Sequence, residues 1–253
     1  MTDRPANGTL AKGLMLASLA LGVALAPVFL AFPEIDLAVA ALGYQPGSGF
    51  PASRAPPWTY ARPLVYGSMY VVIGASLVLL AWRLAARWAA SRRAATLPHW
   101  LPPARNVVYV LACLSLGPGL IVNSLLKENW GRPRPSQIEA FGGKGTFAPP
   151  LLIDDQCARN CSFVSGEAAA AFSLVALGLA AARRSRWRAM AMVAAGLAFG
   201  AAAGFVRIMQ GGHFLSDVVY AGIVVCFVCA ALYGLFFGFT PPPDETGKKR
   251  AGA

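Results

Sequence analysis

Long apolar runs separated by short charged stretches set the pattern of this chain. Residues 13–33, 64–82, 106–126, 189–206 and 218–240 contain no Asp, Glu, Lys or Arg. Each comes close to the ~20 residues that a helix needs to cross the hydrocarbon of a bilayer. A sixth stretch, 162–182, matches them if Glu167 is tolerated near its start. The pattern predicts an all-α polytopic bundle of six transmembrane helices, a single domain over 1–253 with a disordered tail at 241–253. Between the first two runs, Pro46, Pro51, Pro56, Pro57 and Pro63 argue against a continuous helix. Trp58 and Tyr60 are expected there as interfacial anchors. The long segment 127–161 is rich in Gly and Pro, and 208–212 is a short turn with a Gly-Gly pair.

Composition agrees with a membrane protein: 57% of residues are hydrophobic and 13% charged, where soluble domains carry roughly 25% charge. The excess charge of +11 raises the question of nucleic acid, and its distribution answers it. With a cytoplasmic N-terminus and alternating spans, the inner segments hold 14 of the 22 Lys and Arg, among them Arg83, Arg87, Arg92, Arg93, Arg105, Arg183, Arg184, Arg186 and Arg188. This is the positive-inside asymmetry, which places both termini in the cytoplasm and makes the lipid bilayer, not nucleic acid, the partner. Ala24-Leu25-Ala26 resembles a signal-peptidase site, but the first run is longer than a signal h-region and is expected to stay as an anchor. Cys113, Cys226 and Cys229 fall inside spans as small apolar residues. Cys157 and Cys161 lie in an outer segment, where a disulfide and a pair of reduced thiols are both open.

The same alternation gathers the chemistry on one face. The third span ends outside at Lys127, the fourth begins there at Ser162, the fifth ends there at Arg207 and the sixth begins there after His213. Lys127 and Arg134 offer an ammonium and a guanidinium fork that can hold phosphate oxygens; the plain alternative, which also covers Arg132, is cations snorkelling to headgroups. Ser165 and Gly166 open a helix whose free N–H groups suit an anion, or Ser165 is an ordinary N-cap with Glu167 in the first turn. Asp217 follows His213 by one helical turn, so its carboxylate can accept from one imidazole nitrogen and leave the other free to attack phosphorus; a capping Asp beside a loop histidine is the alternative. His99, the other histidine, falls on the cytoplasmic side. Gly196, Gly200 and Gly204, at four-residue spacing, suit close helix packing within one chain or between two.

These residues resemble the PAP2 family, the type 2 phosphatidic acid phosphatases related to vanadium haloperoxidases, whose pattern is KxxxxxxRP, PSGH and SRxxxxxHxxxD. Lys127, Arg134 and Pro135 match the first motif. Arg207, His213 and Asp217 match the third, with Val206 where the family has Ser. The second keeps Ser165 and Gly166, but Val164 replaces Pro and Glu167 replaces His. The resemblance implies a phosphatase that needs neither metal nor cofactor. His213 forms a phosphohistidine and Asp217 orients it. Lys127, Arg134, Arg207 and the Ser165–Gly166 backbone stabilise the phosphate oxygens. The missing histidine is the family's acid for the leaving alkoxide, and Glu167 is expected to replace it. A carboxyl can do so only where burial outweighs the neighbouring cations.

The implied substrate is a phosphorylated lipid headgroup at the periplasmic face of a bacterial inner membrane. Lipid A phosphate is the first choice, because the long segment 127–161 suits a bulky saccharide. Undecaprenyl pyrophosphate, phosphatidylglycerophosphate, lipid-to-lipid phosphotransfer and a non-enzymatic lipid-binding protein are the alternatives. The sequence leaves the oligomeric state open.

Overall fold

The six apolar runs become five long helices and one short, broken one. The computed structural model describes residues 7–93, 101–181 and 186–239; the expected disordered tail, His99, Arg183 and Arg184 lie outside them. Five helices are long and apolar enough to cross a membrane. They are α1 (Gly8–Ala31), α3 (Ala61–Arg93), α4 (Ala104–Leu114) with its continuation, α8 (Arg186–Met209) and α9 (Leu215–Phe237). Among the described residues there is no β-strand, only isolated bridges at Gln45–Gly49 and Ile138–Gly145. The helical windows of α1 and α3 are each only 11% buried, and side chains such as Leu19, Val23, Val71 and Val78 are exposed. Apolar surface of that extent belongs against lipid.

The sixth expected span, 162–182, has no single helix of that length. It folds as α6 (Gly166–Phe172) and α7 (Val175–Ala180), together about 20 Å of helix against a hydrocarbon core of ~30 Å. The Ser173 hydroxyl donates to the Ala170 carbonyl at 2.6 Å where the two meet, a local bond that competes with regular helix. Every residue of α6 is buried, because α3, α8 and α9 pack around it. Its GEAAAAF sequence makes that possible: small side chains let the neighbours close in. On α8 the spaced glycines receive these neighbours. A Cβ on Gly196 would stand 2.8 Å from the Val175 nitrogen, one on Gly200 would overlap the Phe172 ring, and one on Gly204 would overlap Val218. The four-residue glycine spacing is therefore packing within the chain.

α1 is fastened along α9. The Tyr220 hydroxyl donates to the Gly22 carbonyl at 3.0 Å, and the Asn7 amide reaches the carbonyls of Leu179 and Ala181 at 3.2 and 2.9 Å. Cys113, Cys226 and Cys229 are buried free thiols, as expected of packing residues.

Two features place the site. α4 runs into a π-helical stretch, Ser115–Leu126, and then α5 (Lys127–Asn129). Pro118 lies inside that stretch, and the Asn123 amide donates to the Pro118 carbonyl five residues back at 2.7 Å; a proline with no N–H and a widened turn go together. After α1, the proline-rich segment holds α2 (Glu34–Ala41) and short 3-10 turns at Pro51–Ser53 and Trp58–Tyr60. Of the two expected anchors, Tyr60 is exposed, whereas Trp58 lies beside Phe205 with ring centroids 6.3 Å apart.

Candidate active site

Backbone hydrogen bonds stitch the three charged stretches together before any side chain is considered. The Cys161 N–H donates to the Lys127 carbonyl at 3.0 Å, Ser162 N–H to Arg132 at 2.9 Å, Ser165 N–H to Asp217 at 3.1 Å, and Ser136 N–H to Gly211 at 3.0 Å. Gly211 takes φ +65, a left-handed conformation that glycine adopts freely, and so turns the chain from α8 towards His213. The result is one cluster at one end of the bundle. All eight residues expected to carry chemistry fall within it.

His213 is fully buried. Its Nδ1 lies 2.8 Å from the Ser162 carbonyl oxygen, and its Nε2 is buried with no hydrogen-bond partner among the described residues. Asp217 is close but does not bond the ring directly, since Oδ2 stands 3.7 Å from Nδ1. That oxygen accepts from the Ser162 hydroxyl at 2.5 Å and from the Phe214 N–H at 2.8 Å, so Asp217 also caps its own helix. On that side Glu167 Oε2 stands 3.7 Å from Nε2.

Glu167 is buried and faces cations: Arg62 Nε at 3.5 Å and Arg207 Nε at 3.7 Å. Lys127, 5% exposed, comes up from α5 against the first turn of α6. Gly166 permits this approach, because a Cβ there would stand 2.7 Å from Asn123 Oδ1 and 3.4 Å from Lys127 Nζ. The Ser165 hydroxyl accepts from Ala168 N–H at 3.4 Å and so caps α6, while its own N–H is taken up by the Asp217 carbonyl. Arg134 donates to the Asn160 carbonyl at 2.8 Å; burial, then the neighbouring Arg207 charge, pushes its guanidinium down from the ordinary value. Asn160 belongs to a loop closed by a disulfide between Cys157 and Cys161, whose Cα atoms are 5.6 Å apart. Arg62, Arg134 and Arg207 line one cavity of about 290 Å³ with Ser53, Thr59, Ser136 and Gln210. A mouth with three guanidinium groups and several hydroxyls suits a phosphate carried on a polar headgroup.

Behind His213 lies a buried network that the sequence did not reveal. Arg132 is fully buried, not snorkelling. It donates to the Ala148 carbonyl at 2.8 Å, to the Ser216 hydroxyl at 2.8 Å, to Asp217 Oδ1 at 2.5 Å and to Asp36 Oδ2 at 2.8 Å. The guanidinium also sits over the Phe214 ring, 4.4 Å from its centroid. Asp36, on α2, bonds both the N–H and the hydroxyl of Ser216. Burial pushes the Asp36 carboxyl above its ordinary value despite the Arg132 charge, since one guanidinium is shared by two carboxylates. Arg62, Asp36 and Ser162 were likewise not singled out in the sequence.

Residues 107–240 match the PAP2 superfamily. The chain belongs to the PAP2 superfamily. This PAP2 chain is 36% identical over 225 residues to a protein of Rhizobium leguminosarum named lipid A 4'-phosphatase, covering 84% of this chain and 91% of the relative. A protein of the same name from Rhizobium etli is also 36% identical, covering 84% and 83%. A lipid A 4'-phosphatase of Francisella tularensis subsp. novicida is 44% identical over 133 residues, which span 53% of this chain and 59% of that protein. No solved structure matches this PAP2 chain.

Proposed function

We propose that this membrane phosphatase removes a phosphate from lipid A at the periplasmic face of a bacterial inner membrane, through a phosphohistidine on His213. The observation that carries the reading is the state of the imidazole. Nδ1 is tied to a carbonyl, Nε2 has no hydrogen-bond partner among the described residues, and Glu167 beside it meets Arg207, one of three guanidinium groups that line a single cavity. All three lipid phosphatase relatives are named for lipid A, which supports the choice of substrate. The hydroxyl-lined mouth supports a saccharide headgroup.

In this reading Nε2 attacks phosphorus and the bond from phosphorus to the ester oxygen breaks. Lys127, Arg134 and Arg207, with the Gly166 backbone, balance the charge on the equatorial oxygens. Asp217 carries the countercharge to the imidazolium that develops. Glu167, set among the Arg62 and Arg207 cations, takes the proton of the bound phosphate monoanion and passes it to the leaving oxygen, and in the second step it takes one from the water that attacks phosphorus. Inorganic phosphate leaves and the imidazole is restored. The six-span topology belongs to this reading too. α6 and α7 with the residues just before them make the fourth crossing, both termini face the cytoplasm, and the site opens outwards. Arg83, Arg87, Arg105, Arg186 and Arg188 lie at the helix ends opposite the site, which supports that orientation by the positive-inside rule.

The test is phosphate release by the detergent-purified protein in EDTA from lipid A, undecaprenyl pyrophosphate, phosphatidylglycerophosphate and phosphatidic acid. The expected result is release from lipid A that His213→Ala abolishes. Preferred release from another lipid would overturn the substrate, and full activity in His213→Ala would overturn the mechanism.

A further inference from the structure

We propose that Ser162 is the residue through which Asp217 positions His213, and that Asp36 fixes this arrangement from behind by way of Arg132. The proposal rests on the reading of His213 as the nucleophile. Asp217 cannot orient the ring by itself: 3.7 Å separates Oδ2 from Nδ1, beyond a hydrogen bond. Both its oxygens are already engaged, Oδ1 by Arg132 and Oδ2 by Ser162 and the Phe214 N–H. The group that does touch the ring is the Ser162 carbonyl, 2.8 Å from Nδ1. A carbonyl only accepts, so Nδ1 carries the proton and the neutral ring keeps its lone pair on Nε2, the atom facing Glu167.

Ser162 is itself clamped on either side of that carbonyl. Its N–H donates to the Arg132 carbonyl at 2.9 Å and its hydroxyl donates to Asp217 at 2.5 Å. Arg132 then ties Asp217 to Asp36, and the Ser216 hydroxyl accepts from Arg132 and donates to Asp36. The side chains of Asp36, Arg132, Ser162 and Ser216 are buried and bond one another, Asp217 and the Ala148 carbonyl; they are positioning residues. Asp36 lies outside residues 107–240, the segment that matches the superfamily. The outer anchor of the nucleophile is therefore supplied by the N-terminal part of this chain.

The test combines turnover with the imidazole nitrogen spectrum of the full-length protein. The chain has two histidines, so comparison with His99→Gln assigns the His213 signals. The wild type is expected to show one tautomer, protonated at Nδ1. Ser162→Ala, and more mildly the near-isosteric Asp36→Asn, should give a mixture of tautomers. With lipid A, kcat should fall about tenfold to a hundredfold in Ser162→Ala, the scale of a lost charge-assisted hydrogen bond, with KM unchanged. An unchanged tautomer in Ser162→Ala overturns the proposal, whether or not turnover falls. A changed tautomer with undiminished turnover supports the positioning and overturns His213 as the nucleophile. The spectrum decides the positioning even if none of the lipids tested is hydrolysed.

Discussion

Nε2 of His213 and Oε2 of Glu167 lie 3.7 Å apart, and both side chains are buried. The carboxyl stands beside the imidazole nitrogen that the Ser162 carbonyl does not hold. Proton transfer by a placed side chain contributes about 10²–10⁴-fold. Glu167→Gln should therefore slow the single-turnover release of the alcohol from lipid A by an amount in that range and leave the burst of phenol from an aryl phosphate with an acidic leaving group nearly unchanged. The ratio of the two rates is the measurement. Equal losses on both substrates would show that Glu167 acts on charge or position and not as the acid.

Arg132 is expected to be a large stability determinant. Removing one member of a buried ion pair strands its partners and costs about 3–5 kcal/mol. Arg132→Met would strand both Asp36 and Asp217, each fully buried. Thermal unfolding in detergent should show a clearly lower midpoint. Arg132→Lys should fall in between, since an ammonium keeps the charge but loses the fork that reaches four acceptors. A midpoint unchanged in Arg132→Met would contradict the network.

Gly212 sets the position of Arg207. A Cβ there would lie 2.8 Å from the guanidinium carbon, so Gly212→Ala must push the side chain off its place at the cavity. A loss of about tenfold to a hundredfold in kcat/KM is expected, since a displaced charge donor acts like a deleted one. Gly67→Ala, whose Cβ on α3 meets open space, is the control and should keep wild-type activity.

How far the sequence reveals this site follows from the kind of contact involved. The motif spacings and alternating spans identify the residues that meet, because each charged stretch abuts the end of an apolar run. The glycine spacing on α8 is legible for the same reason: i and i+4 lie on one face of a helix. The break at Ser173 is not, because a buried Ala-rich stretch has the same hydropathy whether it forms one helix or two. Arg132 and Asp36 are 96 residues apart in sequence, and nothing local distinguishes Arg132 from a cation at the lipid surface. The hold on His213 is hidden most deeply, because a backbone carbonyl makes it. Side-chain spacing places Asp217 beside the ring and misses the Ser162 carbonyl between them.

A covalent phosphohistidine at His213 is tested most directly by the stereochemical course at phosphorus, with a thiophosphate on the lipid made chiral by two oxygen isotopes and hydrolysed in water carrying the third. Attack by Nε2 followed by attack by water is two in-line displacements, and the released thiophosphate should retain configuration. Inversion would mean that water displaces the lipid in one step, with no phosphohistidine.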